Sequence, residues 1–157
     1  MTFVGTSAFC GDAALTSIDR LNDSDGSHTF DIVGDYAFSG IGVKKAKLSL
    51  RSSSIYTFWG DGCFQDCKSL SEVNILSANY LSKDMFKGCT ALSKVTFDKN
   101  MMAYTYPSVF EGCTSLRSIT MPSKLLFVSE NMFKNCTNLT SVNFSDYSAS
   151  NSGIKLV

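Results

Sequence analysis

The chain has 157 residues, 44% hydrophobic and 18% charged, with fourteen basic residues balancing fourteen acidic ones. This length fits a single domain, 1–157, with enough apolar material for a core. The neutral balance gives no electrostatic reason to expect nucleic acid or an anionic membrane as partner, and no apolar run approaches bilayer-spanning length.

In chain order, one pattern keeps returning: Phe, two residues, Cys, two residues, Leu, two residues, a β-branched residue, one residue, an apolar residue. It occurs at Phe64-Cys67-Leu70-Val73-Ile75, Phe86-Cys89-Leu92-Val95-Phe97, Phe110-Cys113-Leu116-Ile119-Met121 and Phe133-Cys136-Leu139-Val142-Phe144. Looser copies precede these. Phe9-Asp12-Leu15-Ile18 has Asp in the cysteine position, and Phe38-Ile41-Val43-Ala46-Leu48 fits with one residue deleted. The six phenylalanines, at 9, 38, 64, 86, 110 and 133, lie 29, 26, 22, 24 and 23 residues apart. Four matches at five linked positions are very unlikely by chance, and a period in this range marks a stacked-repeat architecture.

Each unit predicts two apolar segments. The Leu-x-x-Val-x-Ile part alternates at its end and reads as a short strand with one buried face. The other segment starts six residues before each phenylalanine, at Phe3, Ile32, Phe58, Tyr80, Tyr104 or Phe127. It is read as inward-pointing from that residue to the cysteine. Gly40, Gly88 and Gly112 suggest that it ends in a helical turn terminated by glycine. Neither segment can bury its apolar side alone, so the units must stack, leucine over leucine and phenylalanine over phenylalanine. The fold class expected is α/β: a solenoid of about six units of 22–29 residues, with parallel strands, short helical turns and extended segments. The repeats span about 3–144, followed by a polar tail, 145–157. The long first interval contains a polar insertion, Asn22 to His28, and the second has extra residues near Arg51 to Ser54. Pro107 and Pro122 fall at unit edges, where proline is tolerated. Ile154 to Val157 are read as packing on the last unit or adding one more edge strand.

Six cysteines invite a disulfide or metal reading. Cys67, Cys89, Cys113 and Cys136 occupy one repeat position and form no CxxC pair. A linear stack cannot converge four such side chains on zinc, so they are read as small buried hydrophobes with free thiols. No metal and no cofactor are expected. Asn22, Asp23 and Asp25 resemble a calcium loop only faintly, without the far glutamate. No GxSxG, HExxH, P-loop or dinucleotide fingerprint is present, and His28 has no nucleophile arranged around it, so no catalytic residue and no enzyme are expected. Met1 to Ala14 lack a positive segment followed by an apolar one, so no signal peptide is expected.

The stretch Phe110 to Met121-Pro122, together with Ile32-Val33-Gly34-Asp35-Tyr36-Ala37-Phe38 and a looser copy from Val4 to Phe9, resembles the BspA-like leucine-rich repeat family. Its unit is similar to L-x-x-I-x-I-P followed by I-g-x-x-A-F-x-x-C. The resemblance covers about residues 3–144. It implies a leucine-rich-repeat solenoid with a concave parallel sheet. It also implies a surface-displayed, secreted or virion-associated adhesion or protein-binding role. The partner implied is a protein or glycan on a host or neighbouring surface.

On such a sheet, the residues flanking the second apolar position of each strand face outward on the concave side. They are Ser17 and Asp19, Lys45 and Lys47, Glu72 and Asn74, Lys94 and Thr96, Ser118 and Thr120, Ser141 and Asn143. They are the binding candidates, weighed against the alternative that they are ordinary solvated strand residues. Trp59 is the exposed-aromatic candidate, because Phe58 is assigned to the core; packing under a loop is the alternative. Tyr104 is read as core, and Tyr106 stays ambiguous. Two functions remain: a non-enzymatic binding or adhesion module, and a structural subunit with an assembly partner at uncapped solenoid ends.

Overall fold

The computed structural model describes residues 3–18, 31–49, 58–78, 80–98, 101–122, 124–125, 127–144 and 155–156. Asp19, the insertion with Asn22, Asp23, Asp25 and His28, the segment Arg51 to Ser54 and the tail from Asp146 to Ile154 lie outside the described residues.

The strands fall into two columns. One holds the Leu-x-x-Val-x-Ile segments: β3 (Lys45–Ser49), β5 (Glu72–Ser77), β7 (Lys94–Phe97), β9 (Ser118–Thr120) and β12 (Ser141–Asn143). Here β3, β5 and β7 pair in parallel, as do β9 and β12, and β7 lies beside β9. The other column holds β1 (Phe3–Val4), β2 (Ile32–Val33), β4 (Phe58–Trp59), β6 (Tyr80–Leu81), β8 (Met102–Thr105), β10 (Lys124–Leu125), β11 (Phe127–Val128) and β13 (Lys155–Leu156). All of its pairings are parallel too: β1-β2-β4, β6-β8-β10 and β11-β13. The tail residues Lys155 and Leu156 thus form an added strand, beside Phe127 and Val128.

Inside, the predicted columns are in register. The phenylalanine rings stack from Phe9 through Phe38, Phe64, Phe86 and Phe110 to Phe133. Centroids are 5.4–5.8 Å apart and planes are within 17° of parallel. Leu70, Leu92 and Leu116 are buried, as are Val73, Val95 and Ile119. This is the shared core that no single unit can make.

Among the described residues there is no helix, which corrects the expected α/β class and its short helical turns. The physical reason lies in the phenylalanine turn. In a helix, consecutive N–H groups beyond the first turn all bond back within their own segment. Here alternate N–H groups leave the coil. In the Phe86 turn, Asp84, Phe86 and Gly88 donate to the Pro107, Val109 and Glu111 carbonyls of the next coil, at 3.1, 2.9 and 2.8 Å. Met85, Lys87 and Cys89 donate three residues back, to Ser82, Asp84 and Phe86. The alternation needs a left-handed residue two before and two after each phenylalanine. Those positions are Ser7, Tyr36, Gly62, Asp84, Ser108 and Asn131, and Gly11, Gly40, Asp66, Gly88, Gly112 and Asn135, all at φ between +54° and +80°. Glycine at 88 and 112 therefore supplies a turn conformation inside the coil and does not terminate a helix.

The cysteines add a second ladder. The thiols of Cys67, Cys89, Cys113 and Cys136 donate to the carbonyls of Phe38, Phe64, Phe86 and Phe110, each one coil back, at 3.0–3.3 Å. All six cysteines are free; five are buried and Cys10 is exposed. Burial pushes the thiols of Cys63, Cys113 and Cys136 above their ordinary pKa.

Candidate functional site

The ten binding candidates all stand on one outward surface. Strand alternation sends Ala46, Val73, Val95, Ile119 and Val142 toward the core, and so sends both neighbours of each the other way. Parallel register then aligns them into two rows. Lys45 sits opposite Glu72, and Glu72 opposite Lys94; Lys47 sits opposite Asn74, and Asn74 opposite Thr96. Ser118 and Thr120 face Ser141 and Asn143 on the adjoining pair.

The first row contains an ion triad. Lys94 Nζ lies 2.7 Å from Glu72 Oε1, and Lys45 Nζ 2.9 Å from Glu72 Oε2. Hydrogen bonds from Lys94, then from Lys45, hold the Glu72 carboxyl down to about 2. One glutamate between two lysines leaves one net positive charge. The surface therefore runs from a cationic patch at β3–β7 to a hydroxyl and amide patch at β9–β12, where Ser141 Oγ donates to Asn143 Oδ1 at 3.0 Å. Such a surface can hydrogen-bond and ion-pair with a polar partner. It holds no nucleophile–base pair.

This architecture has known relatives. The model of the BspA type leucine rich repeat region matches in six copies, over residues 1–105 and 32–153. The chain belongs to the BspA-type leucine-rich repeat family. Among solved structures, this BspA-type chain is similar to a leucine rich cell surface protein from Faecalibacterium prausnitzii A2-165, at 18% identity and a TM-score of 0.51. That alignment covers 91% of this chain and 31% of the other. A leucine-rich repeat protein from Bacteroides ovatus ATCC 8483 follows at 19% identity and 0.45, covering 82% and 45%. The chain thus spans under half the length of either relative, and at 18% identity the Faecalibacterium likeness shows the fold alone. No curated protein matches it.

In the second column of this BspA-type repeat, the sequence reading is corrected by one residue. Trp59 is buried, 1% exposed, and Phe58 is the outward residue at 37%. The inward residues are Val4, Val33, Trp59, Leu81 and Thr105; their predecessors Phe3, Ile32, Phe58, Tyr80 and Tyr104 turn outward. Tyr104, read as core, is 49% exposed. Trp59 therefore leaves the list of exposed contacts, its ring tilted against Phe64 at 5.6 Å. The backbone just after the strand is closely packed between coils. A Cβ on Gly60 would stand 2.4 Å from the Asp35 nitrogen, and one on Gly34 2.5 Å from that of Thr6. The coils touch there, and the parallel register Val4–Val33–Trp59 carries Trp59 into the inward column.

The outward aromatics make a second surface that the sequence reading missed. Tyr106, ambiguous from the sequence, is exposed and meets Tyr80 edge-on at 5.6 Å. Burial, then Tyr106, then Asp61 push the Tyr80 phenol up to about 12. Tyr36 stands in the left-handed region at φ 54°, in a column otherwise filled by Ser, Gly, Asp and Asn. Its odd residue type in that column was the signal available in the sequence.

Proposed function

We propose that the chain is a non-enzymatic protein-binding module that acts through the outward rows of β3, β5, β7, β9 and β12. One observation carries this reading: ten polar side chains, in register within β3-β5-β7 and within β9-β12, stand on two adjoining parallel sheets, one cationic and one neutral. Repeat solenoids offer extended surfaces of this kind. The partner is a protein, or a glycan carried on one, at a cell or host surface. The Faecalibacterium relative is a cell surface protein, which supports surface display. No described helix is long and apolar enough to cross a membrane.

A photo-reactive residue at Thr96 should capture a partner from a cell-envelope extract, and one at Asp66, on the turn, should not. The combined variant Lys94→Ala, Thr96→Ala, Ser118→Ala should then weaken binding to the captured protein by about tenfold or more. Unchanged affinity would sink the reading.

The first described coil favours a second one. Phe9 stacks on Phe38 yet stays 37% exposed, so this end can accept another coil, from a second copy or from a longer chain. Under this reading the protein is a structural subunit joined through its solenoid ends. Concentration-dependent growth in light scattering, abolished by Phe9→Asp, supports it; a monodisperse monomer at all concentrations counts against it.

A further inference from the structure

Four successive coils bring tyrosines and carboxylates to the second strand column and the turn that follows it: Asp35 and Tyr36, then Asp61, then Tyr80, then Tyr106. Tyr36 lies across Gly62 of the next coil: a Cβ there would sit 2.5 Å from its Cε1 and 2.7 Å from its Cδ1. The tyrosine is exposed and held at positive φ. The turn requires that conformation in every coil, so a tyrosine there, where the other coils have Ser, Gly, Asp or Asn, costs stability. The flanking residues are acidic. Asp35 precedes Tyr36, and its Oδ1 accepts the Asp61 N–H at 2.8 Å. Both carboxylates are exposed on successive coils. Burial and Asp35 raise the Asp61 pKa, outweighing Lys83 on the following coil. Two like charges facing one cation leave negative potential unanswered. Tyr80 and Tyr106, ring to ring at 5.6 Å, close the patch on the strand side, and Tyr80 feels both Asp61 and Asp35.

We infer that this patch is a second interaction surface, which takes an arginine- or lysine-bearing protein segment, with the cation over the tyrosine faces and beside Asp35 and Asp61. Charge complementarity selects this occupant: aromatic faces attract cations, and the carboxylates add to that attraction while repelling acidic segments. A neutral sugar would stack on the rings and donate hydroxyls to the carboxylates, but would leave their net negative charge unneutralised. The surface is separate from the strand rows and does not depend on their role.

The test uses the 157-residue chain and a short Gly-Arg repeat peptide, with its citrulline counterpart as the neutral isostere. The Tyr80 and Tyr106 ring signals in NMR should shift saturably with the arginine peptide. The citrulline peptide should bind about threefold weaker or less tightly still. Asp61→Asn should weaken binding about threefold, and Lys83→Gln should tighten it by a similar factor. Opposite signs from two exposed variants cannot arise from misfolding, and unchanged circular dichroism would confirm the fold. Equal binding of arginine and citrulline peptides would overturn the inference. So would absence of saturable shifts at millimolar peptide, or shifts of the same tyrosines by a neutral cello-oligosaccharide alone.

Discussion

The two strand columns of one coil differ in how their orientation is decided. In β5, Glu72, Val73, Asn74 and Ile75 alternate polar and apolar, so only one way of facing the core is open. In β4, Phe58 and Trp59 are both large and apolar, and a two-residue strand carries no alternation. There the choice passes to the neighbours: Gly60 lets adjacent coils touch, and the register Val4–Val33–Trp59 lines up the inward column. A strand too short to show a period is oriented by the packing of the coil around it.

The contrast within β4 is the easiest to break. Trp59→Ala should cost about 3–5 kcal/mol in urea unfolding, and Phe58→Ala about 1–2 kcal/mol. Equal costs would mean that the orientation is wrong. Gly60→Ala should cost about 1–3 kcal/mol, because its Cβ would overlap the Asp35 backbone and push two coils apart. Gly5→Ala, whose nearest foreign atom is a ring carbon of Phe3 at 3.8 Å, should be close to neutral.

The thiol ladder sharpens the comparison on the turn side. Cys113→Ala removes a donor to the buried Phe86 carbonyl and should cost about 1–2 kcal/mol by thermal unfolding. Under native conditions an aromatic disulfide reagent should label Cys10 quickly and the five buried thiols only as the chain opens. Tyr36→Asn should stabilise by about 1 kcal/mol, since asparagine tolerates the left-handed conformation better.

The smallest effect belongs to the outward row. Glu72 has its pKa depressed from 4.5 to about 2, so its contribution is present above the unfolded value and lost as pH falls from 4.5 through 2. The chain should lose slightly more stability over that window than Glu72→Gln does. Because the group is exposed, salt should shrink the difference.

Much of the architecture was legible in residue spacing. Phe, Cys and Leu each recur at fixed offsets, and a column that repeats once per coil has nowhere to go but the shared interior. The ten outward residues were legible for the same reason, since alternation around Val73 or Val95 leaves their neighbours one direction. The absence of helices among the described residues was not legible. A Phe-x-x-Cys turn closed by glycine looks the same whether its N–H groups bond inward or to the next coil.

Sequence alone thus determined the repeat, its register and the polar face, because these depend on which residue types recur and at what interval. Tertiary structure alone decided which of two adjacent aromatics is buried and where half the turn's N–H groups go. It also decided that Asp35 bonds the Asp61 backbone, that Tyr36 lies over Gly62 and that Tyr80 meets Tyr106. Those outcomes depend on contacts between coils about 25 residues apart, where backbone clearance and hydrogen-bond geometry, not residue type, set the answer.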